Sequence, residues 1–319
     1  MNEIMSETTT LNVVICTYNR AKRLSRVLDS LVKARVPDHT FVEIIVVDNN
    51  STDGTRSLVQ ALSSHRNPSV RYVFEERQGK SYALNKALDK LSGDMIAFTD
   101  DDVVVDQNYL VGIIDAAKKY PQYRCFGGKV VALYPDCLPQ WLDLEGSMGF
   151  LKSPFVDRQD GDDEVPYGEA TYYSTPGGCN MFFRRSALEE NGSFRTDLGP
   201  KGKILGFSED TEYCCRLKDK GEGFYYIPSV IVHHPVYPER LTKKYLLAWQ
   251  FNCGKSEATR HAESDQSVRL LGVPRYLFGR ALKHLIGWTV SMGPRTRFFH
   301  RLRLNYTWGE IIGHSKGKA

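Results

Sequence analysis

Short β-branched apolar runs alternate with helical apolar patterns over the first hundred residues. Leu11-Asn12-Val13-Val14-Ile15-Cys16 ends at a polar Thr17-Tyr18-Asn19-Arg20, and Leu24, Val27, Leu28, Leu31 and Val32 then recur on one helical face. A second buried strand is predicted over Phe41 to Val47, ending at Asp48-Asn49-Asn50-Ser51-Thr52-Asp53-Gly54, where Thr52 or Asp53 can cap a helix carrying Leu58, Val59 and Leu62. A third strand is expected over Val70 to Phe74, a helix through Leu84, Ala87, Leu88 and Leu91, and a fourth strand over Met95 to Thr99. This alternation predicts an α/β fold with a mostly parallel sheet flanked by helices. In such sheets ligands bind beyond the carboxyl ends of the strands, where this chain places Thr17, Asp48 and Asp100.

The pattern changes in the second half. Residues 125 to 176 are rich in Gly, Pro and Tyr. Gly177 to Arg185 reads as a strand entering a helix around Ala187-Leu188, and Ser208-Glu209-Asp210 precedes a helix with Tyr213, Cys214 and Leu217. Phe224 to Ile227 and Val230 to Val232 read as two strands before His233-His234. Further on, Tyr276, Leu277 or Phe278, Ala281, Leu285 and Trp288 fall on one broad apolar helical face flanked by basic groups. That face suits either packing on the rest of the protein or an interfacial helix on an anionic membrane.

Charge sharpens the division. The net charge is +4, but residues 241 to 319 hold 14 Lys and Arg against 4 Asp and Glu, a net of +10. The preceding 240 residues hold 28 against 34, a net of −6, so a basic tail follows an acidic body. Mean hydropathy is −0.38. No apolar run approaches the roughly 18 residues that would read as a spanning helix, and the N-terminus carries no basic-then-apolar secretory pattern. None of the seven cysteines stands in a CxxC pair, which points to a reducing compartment rather than a disulfide framework.

Chemistry concentrates at "FTDDD", residues 98 to 102. Three adjacent carboxylates at a strand end are either a solvated run or a site where a divalent cation offsets their charge. A second acidic pair, Glu209-Asp210, stands before a helix, where a dipole role competes with a catalytic one.

The stretches "VVICTYNR", "EIIVVDNNSTDGT", "QGKSYALNKAL", "FTDDD", "GGCNMFFRRSAL" and "GFSEDTEYCCRL" occur in that order. Together they resemble the nucleotide-sugar glycosyltransferases of family 2, which have the GT-A fold, over about residues 11 to 236. The resemblance implies a disordered segment 1–10 and a GT-A domain over 11–240. That domain would divide into a nucleotide-binding half, 11–105, and an acceptor half, 106–240. Residues 241–319 would form a basic helical C-terminal region. The implied activity is inverting, Mg²⁺- or Mn²⁺-dependent transfer from a nucleoside-diphosphate sugar, most commonly a UDP-sugar, to a saccharide or lipid-linked acceptor. The setting would be surface-glycan assembly at the cytoplasmic face of a membrane, with peripheral contact through 241–319.

By the same resemblance, Thr17, Arg20, Asp48 and Asn49 line the nucleotide pocket and Lys80 meets the nucleotide or its phosphates. Asp100 and Asp102 match the acids of a DxD motif, with Asp102 on the metal and Asp100 on the ribose or a metal-bound water. His234 completes the metal shell. Asp210 is the expected base and Glu209 shapes the acceptor site. Gly177 and Gly178 form a wall against donor sugar or acceptor. Asp101, as the middle acid, is expected to be the most replaceable of the three. A sugar-1-phosphate nucleotidyltransferase would need a Gly- and Arg-rich N-terminal loop, which is missing. The alternatives left are a degenerate nucleotide-sugar binding module and a transferase to a polyprenyl phosphate. The tail carries no motif for specific nucleic-acid recognition.

Overall fold

A computed structural model of the chain describes residues 8–63, 67–146, 148–169, 171–202, 204–262 and 265–316. The chain forms two compact units. The first comprises residues 1–133, 156–196 and 210–235. Its elements, in chain order, are β1 (Thr9–Thr17), α1 (Ala21–Lys33), β2 (Thr40–Asp48), α2 (Thr55–Leu62), β3 (Ser69–Phe74), α3 (Lys80–Leu88) and β4 (Met95–Asp100). β5 (Val104–Val105), α4 (Tyr109–Lys119), β6 (Cys125–Leu133), β7 (Val165–Pro166), β8 (Met181–Arg184), α5 (Arg185–Glu189), α6 (Glu209–Asp219) and β9 (Phe224–Pro235) follow, with Glu209 at the edge of the second unit.

Among the described residues these strands build one sheet in the order β3-β2-β1-β4-β8-β6-β9-β5, with β7 alongside β9. β3, β2, β1 and β4 are parallel, and β8 inserts antiparallel between β4 and β6. The apolar runs are continuous because each inner strand is buried on both faces. Leu11, Val13 and Ile15 of β1 join one core with Leu24, Val27 and Leu28 of α1 and Ile113 of α4. Val14 of the same strand joins the opposite core with Ala83 and Leu84 of α3 and Tyr213 of α6. Helices therefore cover both sides of the sheet.

Three expectations change. The strand expected from Gly177 begins only at Met181, as β8. β1 begins at Thr9, inside the segment expected to be disordered, while residues 1–7 lie outside the described residues. The two strands expected before His233-His234 are one strand, β9, and both histidines lie within it. β9 stays continuous because its pairing with β6 shifts register at Gly128/Lys129, and the Asn180 carboxamide donates to the Lys129 and Val230 carbonyls, both at 2.9 Å, across that irregularity.

The second unit comprises residues 134–155, 197–209 and 236–319. Its helices are α7 (Lys243–Arg260), α8 (Arg275–Val290) and α9 (Pro294–Lys316), and the hairpin of β10 (Arg269–Leu270) and β11 (Val273–Pro274) leads into α8. Thr242 caps α7 by accepting from the Tyr245 amide at 3.1 Å. α7 and α9 cross at glycines: a Cβ on Gly254 would overlap the Tyr306 carbonyl, and one on Gly309 the Phe251 carbonyl. The single apolar face expected on α8 is split. Leu277 and Ala281 pack against Val273 and Ile311, whereas Phe278, Leu282, Leu285, Ile286 and Val290 are exposed.

Candidate active site

Register brings the strand ends together. Thr17 of β1 pairs with Asp48 of β2, and Cys16, one residue earlier, pairs with Asp100 of β4. The carboxyl edge of the parallel strands thus collects most of the predicted residues, as the topology requires.

Each acid of the triplet has its own cationic partner. Lys80, the first residue of α3, donates its Nζ to Asp100 Oδ1 at 2.8 Å, pairing two residues predicted as separate nucleotide contacts. Asp101 is buried and accepts from Thr17 Oγ1 at 2.8 Å and Arg20 Nη1 at 2.7 Å. Asp102 is also buried, with Arg20 at 3.6 Å, Arg23 at 3.8 Å and His234 Nε2 at 3.5 Å. Burial pushes the Asp101 carboxyl up and the Arg20 charge pulls against it. The Arg20 guanidinium is raised above its ordinary value, chiefly by the charge of Asp101.

The expectation for Asp101 is therefore corrected. The middle acid is anchored to β1 and to the start of α1, because the chain turns directly after Asp100 and buries Asp101 against Thr17 and Arg20. Thr17 and Arg20, assigned to the nucleotide pocket, hold that anchor. Arg23 was not anticipated, although its place one helical turn after Arg20 and its charge opposite an acidic run were signals.

Asp48 and Asn49 build the neighbouring loop. Asp48 accepts from the Ser51 amide at 2.9 Å and the Tyr72 hydroxyl at 2.7 Å. Burial, helped by the Asp48 contact, pushes the Tyr72 hydroxyl up to about 12. Asn49 donates to the carbonyls of Glu75 and Arg77 and accepts from Gln78 Nε2 and the Gly79 amide, so its carboxamide shapes the turn that presents Lys80.

Asp210 and the glycine pair prove to be one feature. Asp210 Oδ2 accepts from the Gly178 amide at 2.8 Å, and Oδ1 from the Thr211 amide at 2.7 Å. A side chain on Gly178 would overlap the Asp210 carboxylate, and one on Gly177 would press on Arg158. The backbone approach expected of these glycines is thus made toward Asp210 and Arg158. The next residue, Cys179, accepts from Thr99 Oγ1 at 2.9 Å through its carbonyl, and Thr99 precedes Asp100. The buried Cys179 thiol is pushed well up by burial and then by the charge of Asp100, while Arg158 and Lys80 oppose the shift. A short segment, 177–180, therefore links the β4 acids to Asp210. Arg158, in an irregular loop, carried no sequence signal, and Asn180 stood inside the stretch GGCNMFFRRSAL without a role of its own. Glu209 is buried at the start of α6.

The donor set suits a hard or borderline divalent ion only in part. Asp102 Oδ1 and His234 Nε2 stand 3.5 Å apart, a separation at which a carboxylate and an imidazole can both ligate one ion lying to one side of them. Among the described residues no group of three or more His, Cys, Asp or Glu stands close enough to hold a metal unaided. Oxygen atoms of a diphosphate would complete such a shell, as is usual for Mg²⁺ and Mn²⁺ sites.

Comparison with known proteins identifies the family and the fold. The family described as glycosyl transferase family 2 matches residues 12–192, more than half of the chain. The succinoglycan biosynthesis protein ExoM of Rhizobium meliloti (strain 1021) is 28% identical over 83% of this chain and 79% of its own length. A glucosyl-dolichyl phosphate glucuronosyltransferase of Haloferax volcanii is 27% identical over 77% of this chain and 76% of its own. Among solved structures, a mannosyltransferase from Pyrobaculum calidifontis in complex with GDP-Man and Mn²⁺ superposes with a TM-score of 0.62 at 18% identity, covering 98% of this chain and 88% of that one. That likeness shows the fold, the GT-A arrangement expected from the sequence.

Proposed function

From the premise that this chain belongs to glycosyl transferase family 2 and is a glycosyltransferase of glycan biosynthesis, we propose that it is an inverting enzyme using Asp210 as base. The donor in this reading is a nucleoside-diphosphate sugar, UDP-sugars first. The acceptor is a hydroxyl of a saccharide or lipid-linked saccharide at the cytoplasmic face of a membrane. The two relatives and the GDP-Man-bound neighbour named above support the class of donor and acceptor.

Asp210 takes the proton as the acceptor oxygen bonds to the anomeric carbon, and the bond from that carbon to the diphosphate breaks. Two backbone amides fix the plane of its carboxylate. Lys80, at the start of α3, offers its charge to the nucleotide phosphates, with Asp100 holding the ammonium in place. Thr17, Arg20, Asp48 and Asn49 shape the nucleotide pocket from behind. Glu209 and the Gly177-Gly178 turn shape the acceptor side. Asp102 and His234, with Asp100 beside them, would hold Mg²⁺ or Mn²⁺, which when bound offsets charge on the departing diphosphate. Membrane contact through 241–319 belongs to the same reading. No described helix is long and apolar enough to cross a membrane.

The observation that carries the proposal is the Thr99–Cys179 and Gly178–Asp210 pair of hydrogen bonds, which ties the candidate base to the strand bearing the DxD acids. A thermal-shift panel of UDP-, GDP- and dTDP-sugars with Mn²⁺ first names the donor. Asp210→Asn should then bind that donor as the parent does, while release of nucleoside diphosphate to acceptor falls by about 10²- to 10⁴-fold. Undiminished turnover would remove Asp210 as base and favour an acceptor oxygen that is already ionised, such as a polyprenyl phosphate.

A further inference from the structure

α8 is apolar on two sides, and only one of them is used. Its inner side presents Leu277 and His284, both buried, with Ala281 packed beside Val273 and Ile311. Phe278, Leu282, Leu285, Ile286 and Val290 are spaced four, three, one and four residues apart, which places them on one stripe of the helix. That stripe faces solvent: Leu282 is 57% and Val290 68% exposed. The hairpin before the helix raises Leu270 and Leu271 at its tip, and Met292 follows the helix, with Leu271 90% and Met292 96% exposed. Soluble surfaces seldom leave apolar side chains in such a contiguous row without an occupant.

The charge around the stripe says what the occupant is. Residues 266–309 hold eight Lys and Arg and no Asp or Glu. Arg275 and Lys283 on α8, Arg269 before it and Arg295 and Arg297 after it are all exposed. A second copy of this chain would set the same cations against one another. A lipid leaflet with anionic headgroups satisfies both features at once, taking the apolar stripe at its acyl boundary and the cations at its headgroups. At 16 residues, α8 is shorter than a spanning helix and lies along the surface instead.

We propose that the outward stripe of α8, with the Leu270-Leu271 tip and Met292, seats in the interfacial layer of an anionic bilayer. This narrows the membrane contact in the reading above to one helix face, and it rests on that contact alone. It does not depend on the donor or on Asp210, because its readout is binding and not transfer.

Flotation of the full-length protein with phosphatidylcholine vesicles, with and without phosphatidylglycerol, tests it. The parent should float with the anionic vesicles, lose binding as salt is raised, and float poorly with neutral ones. The double variant Leu282→Gln/Ile286→Gln should lose about tenfold in vesicle affinity for each side chain. Its melting temperature and its thermal shift with donor should match the parent, because both side chains point away from the core. Lys283→Glu gives a second measure and should weaken binding to anionic vesicles only. Failure of the parent to float with anionic vesicles, or equal flotation of the double variant, overturns the proposal. Loss of a dimer in sedimentation of the double variant would also overturn it, by assigning the stripe to a second copy.

Discussion

The carboxylate of Asp101 accepts a hydroxyl from one strand on Oδ2 and a guanidinium from the start of a helix on Oδ1. These contacts let three adjacent acids end a strand, since each neighbour has a cation of its own and the middle charge is neutralised from within. Removing one member of a buried pair costs more than the pair contributes, because the partner stays behind. Arg20 keeps partial access to water, so the cost here is moderated. Asp101→Asn should lower stability by about 1–3 kcal/mol. It should also weaken donor binding, because Arg20 and the end of β4 lose their common anchor. Asp101→Glu, which keeps the charge, should recover stability more than donor affinity. Calorimetric titration of donor alongside a urea melt separates the two effects. An Asn variant matching the parent in both would return Asp101 to the replaceable middle position.

Elements show where apolar periodicity informs and where it stops. The four parallel strands and the helices between them were legible because β-branched runs of this length, broken by polar turns, have one good packing solution. The tail was less legible. Leu277 and Phe278 are adjacent and both apolar, and periodicity alone does not tell which turns inward when a helix is apolar on two sides. The α7–α9 crossing was missed although Gly309 and Gly313 stand four apart on α9, the spacing that lets two helix backbones approach closely. At most exposed helical glycines an alanine would stabilise by about 1 kcal/mol through propensity. At Gly309 the added carbon would overlap the Phe251 carbonyl, backbone that cannot swing aside. Gly309→Ala should therefore destabilise the protein by about 1–3 kcal/mol, the usual cost of overpacking. A stabilised variant in thermal melts would show that the helices do not meet at this glycine.

At the scale of the whole molecule, the chain interleaves its two units. Residues 134–155 and 197–209 leave the sheet unit to join the C-terminal helices, and no change of composition marks either departure. The functional pairs Asp101–Arg20 and Gly178–Asp210 were hidden for a related reason: each joins segments far apart in sequence, so no local pattern announces them. The units should also respond differently to acid. In the helical unit His284 is pushed down to about 4, first by burial and then by the charges of Arg303, His300, Lys283 and Arg280. His314 is lowered as well, first by burial and then by Arg269, while Asp265 opposes the shift. Both histidines take up a proton more readily in the unfolded chain, whose reference value is near 6.5. Below that value the unfolded state binds more protons, so stability falls with falling pH. The loss begins near pH 6.5 and grows toward pH 4. Asp53, Glu75 and Glu164 in the sheet unit are lowered too, but their contribution is lost only below the ordinary carboxylate range. Calorimetric melts should therefore show a fall of roughly 2–6 °C between pH 7.5 and pH 5, confined to the transition of the helical unit if two are resolved. His284→Phe, which keeps a ring in the buried place beside Phe299, should flatten that slope and leave the steeper loss below pH 4 unchanged. A parent whose melting temperature is level or rising over the same interval would mean that His284 is not held neutral in the folded protein.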